Sequence, residues 1–193
     1  MKFNKYLLAT VVATALSSAA VQAADGTITF NGTVTDSACT TITSVTADTV
    51  EPISATLTLP PVTTTTLNAA TGTYAGQTPF SIQLTGCEST AALGNVRALF
   101  TTANSPASDA HAMANTAPPA MAAKNVGVAI MQQNGVIQID LNGGAATDLG
   151  AALPVSPLEQ NMVLHYKAAY KSLGGTVTAG DVTGVADFVI SYF

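Results

Sequence analysis

From residue 26 to residue 35 the chain alternates with a period of two. Gly26, Ile28, Phe30, Gly32 and Val34 fall on one side, and Thr27, Thr29, Asn31, Thr33 and Thr35 on the other. Side chains two positions apart share one face of a strand, so this is the pattern of a half-buried β-strand. The same period recurs down the chain. Phe80, Ile82 and Leu84 alternate with Ser81, Gln83 and Thr85 in a strand opened by Pro79 and ended by Gly86-Cys87. Residues 95–101 put Val96, Ala98 and Phe100 on one face. Residues 126–132 and 136–141 flank Asn134-Gly135, a strong hairpin signal. Met162, Leu164, Tyr166, Ala168 and Tyr170 form the apolar side of a further strand, with His165 and Lys167 opposite. The last eight residues place Ala186, Phe188, Ile190 and Tyr192 on a common face.

Between these runs lie the breaks. Pro52, Pro60 and Pro61 mark strand ends or edges, because proline cannot donate to a ladder. Residues 71–77, 102–124 and 142–157 read as loops, the second a long surface connection rich in Ala, Pro, Ser and Asn. There is no sustained helical period and no repeat of useful length. Short strands separated by turn signals predict an all-β chain, an antiparallel sandwich.

Residues 1–23 stand apart. Lys2 and Lys5 precede an apolar run too short to span a bilayer, and Val21-Gln22-Ala23 is a small-residue cleavage site. They predict a signal peptide and export. Cleavage would leave 170 of the 193 residues, about one domain. It would also remove two of the 6 basic residues, leaving 4 against 11 acidic and a net charge of −7. An acidic surface of this kind disfavours nucleic acid and anionic lipid as partners. In an oxidising compartment the two cysteines, Cys39 and Cys87, are expected to form a disulfide.

Catalytic and metal chemistry find little support. The chain has neither a GxSxG elbow nor an HExxH motif, and neither histidine sits in a ligand cluster with the cysteines. His165 reads as a solvated strand residue, and His111 has no obvious partner. Asp140 and Asp148 bracket a Gly-rich stretch, but their spacing is not that of an EF-hand and turn residues are the simpler reading. The chain is expected to be neither an enzyme nor a cofactor or metal carrier.

Taken in order, several stretches resemble the major subunits of chaperone–usher fimbriae, the type 1-like pilins. FNGTVTDSAC resembles the opening of a pilin domain, with Gly32 where the family's donor strand carries glycine. LTLPPV and GQTPFSIQLTGC resemble the region of the second strand and second cysteine, and NVGVAIMQQNG the hairpin that follows. The most specific stretch is the C-terminal block. It has a penultimate tyrosine, Tyr192, preceded by alternating Ile190 and Phe188, and a glycine, Gly180, the fourteenth residue counting back from the end. Phe193 departs from the family, whose members more often end in a polar residue.

The resemblance implies an incomplete immunoglobulin-like β-sandwich lacking its last strand, completed in trans by a donor strand. Three regions follow: residues 1–23 as signal peptide, 24–37 as the N-terminal donor-strand extension and 38–193 as the pilin domain. Ile28, Phe30, Gly32 and Val34 would be the donor residues, and Gly180, Phe188, Ile190 and Tyr192 would belong to the acceptor groove. Implied partners are neighbouring copies of the chain or related pilins, a periplasmic chaperone and an outer-membrane usher. Export through the periplasm to a surface fimbrium would support adhesion or biofilm formation. Two alternatives remain: a minor or tip-proximal subunit that binds a host glycan or protein receptor, and a self-contained secreted binding domain.

Overall fold

The strand Tyr74–Cys87 (β3) lies between two neighbours and runs much of the length of the larger sheet. A computed structural model of the chain describes residues 38–39, 41–46, 50–51, 55–142, 147–155 and 160–193. The expected leader and donor extension, with Ile28, Phe30, Gly32 and Val34, lie outside the described residues. In chain order the other elements are β1 (Thr41–Thr46), β2 (Val50–Glu51), α1 (Thr64–Leu67), β4 (Asn95–Thr101), β5 (Met113–Ala114), β6 (Val126–Gln132), β7 (Ala151–Ala152), β8 (Gln160–Ser172) and β9 (Asp187–Tyr192). Among the described residues they form two antiparallel sheets, one ordered β2-β1-β3-β8-β6-β5 and the other β7-β4-β9.

The core fills the space between the sheets. Ile82 and Leu84 of β3, and Leu164 and Tyr166 of β8, face Val96, Ala98 and Phe100 of β4, and all are buried. The alternation in the sequence is therefore the alternation of inner and outer faces. β6 is buried from Val126 through Met131, because its outer face packs Ala129 and Met131 against Ala169 and Tyr74. Cys39 and Cys87 are joined as a disulfide, which ties the residues just before β1 to the end of β3.

Several expectations need correction. Residues 74–77 are strand rather than loop, and Pro79 sits inside β3 rather than opening it. The periodicity fails there because the register with β8 slips between Ala75 and Thr78, with Gly76 at φ +64°. Among the described residues the register with β1 begins at Ser81, so Pro79 lies beyond that ladder, where proline is tolerated. Residues 136–141 do not form a second hairpin strand. The ladder survives in the bonds Gln132 N–H to Ile137 O and Ile139 N–H to Ile130 O, and the chain then dives inward to bury Ile139 and Leu141.

Residues 102–124 are not simply a surface connection. They contain β5 and bury Ala112, Met113, Ala117 and Ala123. Nor are residues 142–157 all loop, since Ala151–Ala152 form β7 and pair with Asn95 and Val96 of β4. One helical turn, α1, follows the prolines. Thr63 caps it by accepting from the Thr66 N–H, and Leu67 is its buried residue.

Candidate functional site

Along one side the sandwich is not closed. A groove of about 1510 Å³ runs between residues 55–64 and residues 177–188. Its floor is the core itself: Ile82, Phe100, Val128, Ile130 and Ala168. One wall carries Leu57 and Leu59, which are half-buried and alternate with exposed Thr56 and Thr58. The other carries Val182, Ala186 and Phe188, also half-buried against the core. A long apolar channel lined by half-covered side chains is a candidate binding site.

The residues anticipated for this site divide into two groups. Gly180 and Phe188 line the groove. Ile190 and Tyr192 share the inward face of β9 with Phe188 and pack, half-buried, against the core beyond the groove's lining. Gly180 has φ +153°, and a Cβ there would lie 2.4 Å from both Ala123 N and Met121 O. Only glycine fits at that close backbone approach.

Two contributors to the groove were not anticipated. Leu57 and Leu59 had a readable signal in the alternation of ATLTL, obscured by the two prolines that follow. Met113, Ala117 and Ala123 had none, since a stretch of small residues and prolines shows no period.

Two polar clusters lie away from the groove. Tyr166 donates to Asp148 Oδ2 at 2.9 Å and accepts from the Ala98 N–H at 3.1 Å, bridging the two sheets. Burial, reinforced by the Asp148 carboxylate, pushes the Tyr166 phenol well above its ordinary value, so it stays protonated and donates. Asp148 is thus a buried acceptor, 7% exposed, rather than a surface turn residue. On the outer face of the larger sheet, Lys171 donates to Asp109 and to Gln138, each at 2.5 Å. His111, expected to be alone, lies 2.6 Å from Asp140.

Burial pushes the Asp109 carboxyl up, but the hydrogen bond from Lys171, the His111 N–H and the nearby positive charge outweigh it and hold it below its ordinary value. A carboxyl lowered by folding stabilises the fold above its unfolded value, near pH 3.9, and loses that contribution as pH falls through the folded value. Stability is therefore expected to decline below about pH 4. Asp109→Asn should lower stability at neutral pH and flatten that acid decline, as followed by denaturant midpoints from pH 7 to 3.

No group of three or more His, Cys, Asp or Glu suited to a metal occurs among the described residues. What the fold presents is an antiparallel β-sandwich, incompletely closed and open to its core along one apolar channel. The profile of the family described as fimbrial protein matches residues 28–193. The chain is 36% identical to the F17 fimbrial protein of Escherichia coli, over 92% of this chain and 93% of that one. It is 34% identical to the major fimbrial subunit SMF-1 of Stenotrophomonas maltophilia, over 90% and 95% respectively. Among solved structures, the P pilus rod subunit PapA aligns with a TM-score of 0.56 at 17% identity, over 81% of this chain and 100% of that one. A chain of a chaperone–usher pilus aligns with the same TM-score at 20% identity, over 88% and 96%. The chain belongs to the fimbrial protein family of pilins, structural proteins of surface fimbriae, and it is not an enzyme.

Proposed function

We propose that the chain is the main structural subunit of a chaperone–usher fimbrium and polymerises head-to-tail by donor-strand exchange. The observation that carries this reading is the groove: a core opened lengthwise between residues 55–64 and 177–188, where an extended segment would fit. The occupant is the segment of residues 24–37 from a neighbouring copy. Strand addition supplies sequence-independent main-chain bonds, while alternate side chains set register, and chaperone–pilin complementation is an established example of this mode. Ile28, Phe30 and Val34 would point into the groove, and Gly32 would pass where there is no room for a side chain. Donor and acceptor are different surfaces, so the contact need not close and generates a filament. In the periplasm a chaperone strand would hold the groove until the usher exchanges it. Two relatives bear the name major fimbrial subunit, one of them called probable, which favours the main subunit over a minor or tip-proximal one.

Burying three apolar side chains contributes roughly 1.5–3 kcal/mol each, or about 5–9 kcal/mol together. The test compares two forms of the protein under oxidising conditions. One begins at Asp36; the other carries a second copy of residues 24–35 after Phe193 on a flexible linker. The expected result is that the first aggregates or melts low. The second should be a monomer melting higher by about 10–35 °C, given about 2–4 °C per kcal/mol at this size. Two stable monomers with equal melting temperatures would mean the sandwich is already complete, and a self-contained binding domain would replace the fimbrial mechanism.

A further inference from the structure

Among the described residues, the groove wall formed by residues 178–186 has no β-ladder of its own, apart from a single bridge between Asp181 and Ala122. Its backbone groups must nevertheless be satisfied if the wall is to stay in place. Behind it lies Asn115, half-buried, just after the short strand β5. Its side-chain amide makes four hydrogen bonds, all to main chain. Nδ2 donates to Ala123 O at 2.9 Å and to Asp181 O at 2.8 Å. Oδ1 accepts from the Ala117 N–H at 3.0 Å and from the Thr183 N–H at 2.9 Å. Two of these bonds reach the 117–123 turn and two reach the wall, so one amide sews the two together.

The neighbouring contacts follow the same line. Thr116 N–H donates to Thr183 O, Ala123 N–H to Asp181 O and Asp181 N–H to Met121 O. Gly180 threads against Met121 and Ala123 where no Cβ would fit. Only a primary amide of this length offers two donors and two acceptor sites in this arrangement. An aspartate in its place would keep the two acceptor contacts and turn a negative oxygen toward two carbonyls.

We propose that Asn115 is a positioning residue for strand capture, its amide fixing the 181–183 wall at the separation an incoming extended segment requires. The inference rests on the groove being the strand-binding site proposed above. Asn115 does not line the groove, and acts through Asp181 and Thr183, which do.

The test uses the full chain, refolded with a labelled peptide of residues 24–35, in wild-type, Asn115→Ala and Asn115→Asp forms. Capture of label in the folded fraction is read alongside hydrogen exchange of residues 177–186 and 160–172. Asn115→Ala should capture at least tenfold less peptide, with faster exchange in 177–186 and little change in 160–172. Asn115→Asp should show the same loss at pH 7. Relative to wild type at each pH, it should regain capture as the pH falls to 4.5, because a protonated carboxyl can again donate. Capture by Asn115→Ala within twofold of wild type, or an Asn115→Asp profile parallel to wild type, overturns the proposal. If Asn115→Ala does not fold, the Asn115→Asp profile decides alone. A peptide carrying Phe30→Asp separates this inference from the reading beneath it. If wild type captures it as well as the native peptide, the groove reading itself fails. If wild type rejects it while Asn115→Ala captures the native peptide normally, only the role of Asn115 falls.

Discussion

Replacing Phe100 with alanine should lower the free energy of unfolding by about 3–5 kcal/mol. Phe100 is 3% exposed and stands at the centre of a four-ring cluster joining the sheets. Its ring lies 5.0 Å from Tyr166 and 6.1 Å from Phe80, both edge-to-face, and 6.2 Å from Phe188, its partner across β4 and β9. Truncation removes buried apolar area, at least two edge-to-face contacts worth roughly 0.5–1.5 kcal/mol each, and the packing of both sheets around the ring. Phe100 also lies in the groove floor, so the void left behind merges with the channel. Peptide capture should therefore weaken along with stability. Denaturant unfolding checks the first effect, with Val189→Ala as control. Val189 is 62% exposed, and its loss should cost less than about 0.5 kcal/mol. A Phe100→Ala protein within 1 kcal/mol of wild type would show that the rings do not bind the sheets together.

Opening the disulfide should have an effect of similar size. Cys39 and Cys87 are 48 positions apart, and closing a loop of that length reduces the freedom of the unfolded chain by the equivalent of about 4 kcal/mol in the chain-entropy account. Both sulfurs are buried, at 3% and 0% residue exposure, so a double Cys→Ser variant also places hydroxyls in an apolar site. Unfolding of the oxidised protein, the reduced protein and the double serine variant should give one high and two low values. The drop should be local as well as global, with exchange of the Thr41–Thr46 amides rising more than that of β6 and β8. Equal stability with and without reductant would mean that β1 holds its place by pairing alone.

How much of this was readable in advance depends on what each residue's burial requires. β4, β8 and β9 were readable because each buries one face only, so Val96-Ala98-Phe100, Leu164-Tyr166-Ala168 and Phe188-Ile190-Tyr192 recur with a period of two. The start of β3 was hidden because a bulge at Gly76 breaks the period and Pro79 looks like a boundary. Residues 113–123 were hidden for a different reason. They fill space with Met and Ala and gain order from Asn115 and from the Asp181–Thr183 main chain, contacts more than sixty positions away that leave no periodic trace. The groove was half legible. Gly180 and Phe188 were anticipated within it, while its opposite wall at Leu57 and Leu59 was masked by Pro60 and Pro61.

The sulfur–sulfur link has a mechanical meaning as well. A pull on the chain ahead of Cys39 enters the sandwich at that residue, where the covalent bridge offers a direct route to Cys87. Tension is thereby handed to β3, a strand flanked by β1 on one side and β8 on the other, before it has to be borne by the rungs of β1. The Cys39–Cys87 bridge is thus a covalent shunt, so β1 and β2 can stay seated while load passes around them.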